Sequence, residues 1–353
     1  MTLPEQTIAA VVPVDHAAAE QARDRLDRKT KPRRSLGRLE ELAIRLAAIY
    51  RTADPPLPAK AVVVMAADHG VAEEGVSAYP QEVTAQMVMN FAAGGAAINV
   101  LARQQAARVV VANMGTRGPV DLPAVRDHRL GPGTANFARG PAMSRDTAVR
   151  ALEIGIARAD ELAADGVGLL GIGDMGIGNT TSASAITAAF CGGDPARVTG
   201  RGTGIDGDRL RHKVEVIERA LRVNRPDPAD AIDVLSKVGG FEIAGLAGVV
   251  LGAAARRIPV ILDGFITGAA ALAAVRLCGE ARHYLIASHR SVEPGHAAVL
   301  GELGMCKGEL FDLQLRLGEG TGAALAMGLA EASLRILREM ATFEAAGVTD
   351  AGA

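Results

Sequence analysis

The stretch Val167-Gly168-Leu169-Leu170-Gly171-Ile172-Gly173-Asp174-Met175-Gly176-Ile177-Gly178-Asn179-Thr180-Thr181 begins as a strand and ends as the start of a helix. Val167 to Ile172 is continuously apolar, as a strand buried on both faces of a parallel sheet is. A helical pattern follows over Thr181 to Phe190. Gly171 to Gly176 is a literal GxGxxG, but a dinucleotide fingerprint also needs its third glycine inside the helix and a second strand soon after. Here Gly178 and Asn179 interrupt the helix start, and Cys-Gly-Gly-Asp-Pro follows Phe190. The more general physics survives: glycines let the backbone approach an anion, and free N–H groups at the helix start bind it. A phosphate or carboxylate is the expected occupant.

Outward from this turn, four more short runs rich in β-branched or apolar residues read as buried strands: Ala61 to Met65, Arg108 to Ala112, Ile258 to Leu262 and Tyr284 to Ala287. Helical patterns separate them, at Val83 to Gln104, Arg145 to Ala164, Arg209 to Arg222, Ala229 to Val238, Ile243 to Arg256 and Gly268 to Arg276. Such alternation predicts an α/β fold with a doubly wound, mostly parallel, Rossmann-like sheet. Both ends of the chain read as helical, with His16 to Leu26 and Leu36 to Tyr50 at the front and Thr321 to Phe343 at the back. The expected organisation is therefore a small helical domain from residues 1–57 with 305–353, beside a large α/β nucleotide-binding domain over 58–304.

Composition narrows the function. Trp is absent from the 353 residues, aromatics are scarce, and Ala and Gly are abundant, which favours tight helix-on-sheet packing. The net charge of -2 has no basic footprint beyond a cluster from Arg28 to Arg38, so nucleic acid is not an expected partner. The apolar stretches Ile243 to Ala255 and Gly264 to Val275 are shorter than the roughly 20 residues a membrane span needs. With no signal-peptide pattern at Met1-Thr2-Leu3-Pro4, a cytoplasmic location is expected. Cys191, Cys278 and Cys306 form no CxxC and read as buried small hydrophobes.

In open parallel sheets ligands bind beyond the carboxyl ends of the strands. After the first strand come Asp68-His69-Gly70-Val71 and then Ser77, Tyr79 and Gln86, whose hydroxyl, amide and aromatic groups suit a flat aromatic ligand or line an ordinary surface loop. His69 is either a proton shuttle or a hydrogen-bonded residue beside the strand end. A second glycine loop, Thr199-Gly200-Arg201-Gly202-Thr203-Gly204, precedes a helix carrying Lys213, so two anionic groups are expected on the ligand. Asp263 is placed to meet a ribose hydroxyl and Ser291 a phosphate; His289 and His296 read as structural. Finally, Glu319 lies between glycines in Leu317-Gly318-Glu319-Gly320-Thr321-Gly322, ahead of a long helix that Thr321 is expected to cap. A carboxylate at a helix start is biased toward its ionised form, as a general base must be.

Taken in order, Lys31-Pro32 with Ser35-Leu36-Gly37-Arg38-Leu39-Glu40, Asp68-His69-Gly70-Val71, Ser77-Ala78-Tyr79-Pro80, Gly94-Gly95-Ala96-Ala97-Ile98-Asn99, Gly176-Ile177-Gly178-Asn179-Thr180-Thr181 and the Glu319 segment resemble the nicotinate-nucleotide:dimethylbenzimidazole phosphoribosyltransferases of cobalamin lower-ligand assembly. The resemblance covers nearly the whole chain. It implies transfer of 5-phosphoribosyl from nicotinate mononucleotide to 5,6-dimethylbenzimidazole, giving α-ribazole 5′-phosphate and nicotinate, by a homodimer with no cofactor and no metal.

The same resemblance makes Glu319 the catalytic base, with Asp174 as a second acid where many relatives carry a glutamate. Ser77, Tyr79, Gln86 and Leu317 then hold the base. Gly176, Ile177, Gly178, Asn179, Thr180, Gly202, Thr203, Gly204, Lys213, Asp263 and Ser291 hold the nucleotide. Arg33-Arg34 departs from the small residues usual before Ser-Leu-Gly. Two competing readings are an NAD-dependent oxidoreductase using Gly171 to Gly176 with Asp194 on the ribose, and a non-catalytic nucleotide sensor.

Overall fold

Every side chain from Ala61 to Ala67 is fully buried, which requires a strand covered on both faces. In the computed structural model, which describes residues 1–349, this run is the interior of β1 (Ala59–Ala67). The other strands are β2 (Ala107–Gly115), β3 (Val125–Asp127), β4 (Val167–Met175), β5 (Val260–Leu262) and β6 (Leu285–Ala287). All pair in parallel in the order β3-β2-β1-β4-β5-β6.

Helices α1 (Leu3–Ala10), α2 (His16–Asp27) and α3 (Arg38–Tyr50) precede the sheet, and α4 (Glu82–Ala93) and α5 (Ala97–Gln104) join β1 to β2. Between β3 and β4 runs α6 (Arg145–Ala164); between β4 and β5 come α7 (Asn179–Cys191), α8 (Gly207–Asn224), α9 (Ala231–Val238) and α10 (Phe241–Ala255). Helix α11 (Phe265–Leu277) joins β5 to β6, and α12 (Pro294–Glu302), α13 (Thr321–Glu339) and α14 (Phe343–Ala346) complete the chain.

Alternation along β1 divides the core in two. Val63, Met65 and Ala67 face α6, α7, α10 and α11, whereas Val62, Val64 and Ala66 face α4, α5 and α13. A third cluster, Ala22, Leu26, Ala43, Ala47 and Leu337, joins α2 and α3 to the end of α13, so the two chain ends do meet. The first half of α13 lies against the sheet, through Ala323, Ala326 and Met327.

The expected α/β doubly wound parallel sheet is present, with differences that have local causes. The single helix expected over Val83 to Gln104 is two. Gly94, with φ +79°, ends α4, and the Asn99 side chain folds back to accept from the Ala96 N–H (3.2 Å) and donate to the Phe91 carbonyl (3.1 Å), starting α5 afresh. Glu82–Gln104 is the one described stretch long and apolar enough to cross a membrane, and this break divides it. The three residues of β3 are too few to carry a period, and α1 and α12 were not expected. Cys278 is buried as expected, but Cys191 is only half-buried and Cys306 is exposed.

Candidate active site

The chain turns in opposite directions from β1 and β4, toward β2 on one side and β5 on the other, so a crevice opens at the carboxyl ends of these two neighbours. Asp174 and Met175 close β4 there, Gly176 follows it, and His69 follows β1. The Glu319 segment drops into this crevice.

Gly318, Glu319 and Gly320 all have left-handed backbone, with φ of +83°, +64° and +91°. Glu319 pays a conformational cost that glycine would not, a pattern found where surrounding structure fixes a functional side chain. What fixes it is contact: its N–H donates to the Asp174 carbonyl (3.3 Å), and its backbone presses on Gly173 so closely that a Cβ there would lie 2.4 Å from the Glu319 carbonyl carbon and oxygen. We expect Gly173→Ala to cost about 3 kcal/mol of stability and to lower turnover, as measured by denaturant titration and an activity assay.

The Glu319 carboxylate is 5% exposed and accepts from the Ile98 N–H at the start of α5 (3.4 Å). Burial pushes its pKa above the ordinary glutamate value, and the Ile98 N–H opposes that shift. The helix start acting on this carboxylate is thus that of α5, not of α13. The cap of α13 also differs from expectation: Gly320 is the N-cap residue, and Thr321 turns its hydroxyl to the Gly318 carbonyl (2.9 Å).

Asp263 does the capping instead. Its Oδ2 accepts from the Gly320 N–H (3.1 Å) and its Oδ1 from Gly322 (2.6 Å) and Ala323 (3.3 Å). Expected to meet a ribose hydroxyl, this carboxylate is 1% exposed and spent on positioning the segment that carries Glu319. Burial raises its pKa to about 7 against the pull of those N–H groups. Asp174, also buried, accepts from Asn179 Nδ2 (2.8 Å); burial first, then the charges of Asp263 and Glu242, push its pKa well up. Of the three acids, Glu319 has a helix start to favour its charge, whereas Asp174 is held toward its neutral form.

The two glycine loops meet at Lys213. This lysine is fully buried on α8, and its Nζ donates to Thr180 Oγ1 (2.9 Å) at the start of α7 and to the Gly200 carbonyl (3.2 Å). Burial lowers its pKa to about 8. Ile177 is held by its N–H donating to Thr84 Oγ1 (3.1 Å). The second loop is pinned on three sides: the Gly202 N–H donates to Glu293 Oε1 (2.9 Å), the Gly202 carbonyl accepts from Arg316 (3.2 Å), and Thr203 Oγ1 lies 3.3 Å from Ser77 Oγ and accepts from the Ala78 N–H (3.0 Å).

A buried lysine between two glycine loops, beside a buried acid at a switch point, fits a phosphorylated sugar next to a proton acceptor. A family model described as "Phosphoribosyltransferase" matches residues 11–348. The chain belongs to this family. At 57% identity over 353 residues, covering 99% of each chain, this phosphoribosyltransferase is similar to the nicotinate-nucleotide–dimethylbenzimidazole phosphoribosyltransferase of Chloroflexus aggregans. It is also 57% identical over 349 residues to the enzyme of that name from Geobacter metallireducens, covering 99% of this chain and 98% of the relative. Among solved structures, CobT from Thermus thermophilus superposes with a TM-score of 0.90 at 49% identity, over 94% of this chain and 99% of that one. The family resemblance legible in the motifs is therefore correct.

In this phosphoribosyltransferase Glu319, Asp174, Gly176 to Thr180, Gly202 to Gly204 and Lys213 converge on the crevice, and Ser77 reaches it through Thr203. Tyr79 and Leu317 are 56% and 59% exposed, and Gln86 is exposed on α4. Ser291 bonds to Glu293 instead, its hydroxyl accepting from the Glu293 N–H (3.3 Å). His69 is fully buried with Nε2 2.6 Å from Glu242 Oε1, and its carbonyl accepts from Gln81 Nε2 (2.6 Å), which fits the structural alternative. His289 and His296 are buried too, and burial lowers both, His296 to about 3. The oxidoreductase reading fails: Asp194 is exposed and caps a 3-10 turn by accepting from the Ala196 N–H (2.9 Å), and no strand follows α7 before α8. Arg316, Glu293, Thr84 and Ile98, none of them expected at the site, bond to Gly202, Gly202, Ile177 and Glu319. Only the Gly94 to Asn99 motif signalled the last of them.

Proposed function

We propose that this phosphoribosyltransferase moves 5-phosphoribosyl from nicotinate mononucleotide to 5,6-dimethylbenzimidazole, giving α-ribazole 5′-phosphate and nicotinate for cobalamin lower-ligand synthesis. The observation that carries the reading is the position of Glu319: a buried carboxylate at the start of α5, joined through Arg316 and Gly202 to the loops around Lys213. The relatives carry the name of this reaction.

In the proposed step one azole nitrogen attacks C1′ as the C1′–N bond to nicotinate breaks, and the sugar carbon inverts from β to α. The proton on the other azole nitrogen passes to Glu319. The pyridinium leaves as neutral pyridine nitrogen, so the departing group needs no acid. Catalysis then rests on alignment and one proton acceptor. Ser77, Tyr79, Gln86 and Leu317 line the base side; Lys213 and the two glycine loops hold the 5′-phosphate, with Ser291 supporting them. Asp174, pushed toward its neutral form by burial, orients Asn179 at the start of α7. We further propose a cytoplasmic homodimer.

The deciding experiment incubates the protein with nicotinate mononucleotide and a panel of acceptor bases and looks for nicotinate and the α-nucleotide. Release of nicotinate that does not depend on the base, or none at all, would sink the reading. A pH profile adds an independent check. Glu319 must be ionised to accept a proton and its pKa is raised by burial, so the rate falls with decreasing pH at an acid limb above the ordinary glutamate range. Lys213 must be charged to hold phosphate, so the KM for the nucleotide rises as pH passes about 8.

A further inference from the structure

Glu293 is a carboxylate set against the second glycine loop, beside Gly200 and Gly202. It is 7% exposed, its Oε1 accepts from the Gly202 N–H (2.9 Å), and its Oε2 is buried with no hydrogen-bond partner. That free oxygen lies against Gly200, where a Cβ would come within 2.0 Å of it, and the Gly200 carbonyl is one of the two acceptors of Lys213 Nζ. An acid beside the lysine that binds an anion weakens binding on charge grounds alone. A carboxylate left with an unmet acceptor in a buried place requires a donor.

A phosphate monoester supplies one when it is a monoanion: its P–O–H donates to a carboxylate while its other oxygens accept from Lys213 and the loop N–H groups. The dianion offers no hydrogen and adds repulsion. Sulfate near neutral pH has the same charge and shape as that dianion and likewise no proton to donate.

We infer that Glu293 is a specificity-determining residue that makes this seat select a protonated oxyanion, the phosphate monoanion, over a dianion or sulfate. The inference rests on the proposal that the nucleotide's 5′-phosphate sits between Lys213 and the two glycine loops. The other titratable or charged groups around the carboxylate do not supply the missing hydrogen. Arg201 donates to the Ile205 carbonyl (3.0 Å) and Arg316 to the Gly202 carbonyl (3.2 Å). On the β6 side, Ser291 donates its N–H to His296 Nδ1 (3.1 Å), and His289 pairs with Ser288 Oγ (3.0 Å). Lys213 spends two protons on Thr180 and Gly200.

The test is competition against nicotinate mononucleotide in steady-state turnover, with inorganic phosphate and with sulfate, at about pH 6 and about pH 7.5, where the phosphate monoanion gives way to the dianion. For the wild-type protein, phosphate should inhibit at least about tenfold more strongly than sulfate at the lower pH, the worth of one charge-assisted hydrogen bond, and its inhibition should weaken as pH rises. In Glu293→Gln the amide can donate as well as accept, so the gap between phosphate and sulfate should close to within about threefold and the pH dependence should flatten. Equal inhibition by sulfate and phosphate in an active wild-type protein overturns the inference and leaves the proposed reaction standing. An unchanged ratio in the glutamine variant overturns it too. If that variant does not fold, the wild-type comparison alone decides. Failure of the wild-type protein to turn over nicotinate mononucleotide overturns both the reaction and the inference.

Discussion

Glu319→Gln should lower kcat by about a thousandfold while leaving the melting temperature and the KM for nicotinate mononucleotide nearly unchanged. General-base catalysis by a positioned side chain contributes about 10² to 10⁴ in rate, and no other ionised acid is placed to substitute. Asp263 is committed to three N–H groups of the α13 start, and Asp174 is pushed toward its neutral form by burial and by neighbouring carboxylates. Glutamine preserves the volume and accepts from the Ile98 N–H as the carboxylate does, so the left-handed Gly318–Gly320 turn has no reason to move. Removing a buried charge is also not costly to the fold: the group's pKa is raised by burial, which means the ionised form is what folding disfavours. A variant that retains more than about a tenth of the turnover would remove Glu319 from the role of base.

The second large effect is expected on binding. Lys213→Met keeps the apolar stem inside the fold but removes the ammonium that bridges Thr180 and Gly200. A charge-assisted hydrogen bond to phosphate is worth about 2–3 kcal/mol, so the KM for nicotinate mononucleotide should rise about a hundredfold. The kcat at saturation should fall much less, because Lys213 bonds to Thr180 and Gly200 of the glycine loops and not to Glu319. Steady-state kinetics with varied nucleotide separates the two parameters. A KM within about threefold of wild type would place the phosphate elsewhere.

The sheet was readable because strands buried on both faces have to be apolar throughout, and the short β-branched run Ala61 to Met65 is too brief for a core helix. Short edge elements carry no such signal: β3 has three residues, and only its pairing to Val111 to Asn113 identifies it. Glycine-rich turns were legible as turns because glycine there is a local requirement of the backbone, as the left-handed φ of Gly178, Gly202 and Gly204 shows. Asp263 was legible as polar at a strand end, but its partners lie nearly 60 residues along the chain, at Gly320 to Ala323, and no local pattern connects them. Glu293 was hidden for the same reason, since its significance is the distant N–H of Gly202.

The layered α/β fold, the places of the two glycine loops and, through the order of its motifs, the family were all written in the chain locally. These follow from short-range rules of periodicity, glycine conformation and motif order, all written within a few residues. Only the folded neighbours show which acid is pushed furthest toward its neutral form, which one caps a helix and which helix start faces Glu319. The tertiary structure also left one carboxylate oxygen of Glu293 unpaired beside the second glycine loop. Burial, repulsion between carboxylates and the assignment of hydrogen-bond donors depend on what stands beside a group in space, and those neighbours come from residues hundreds of positions apart, as Ile98 and Glu319 do.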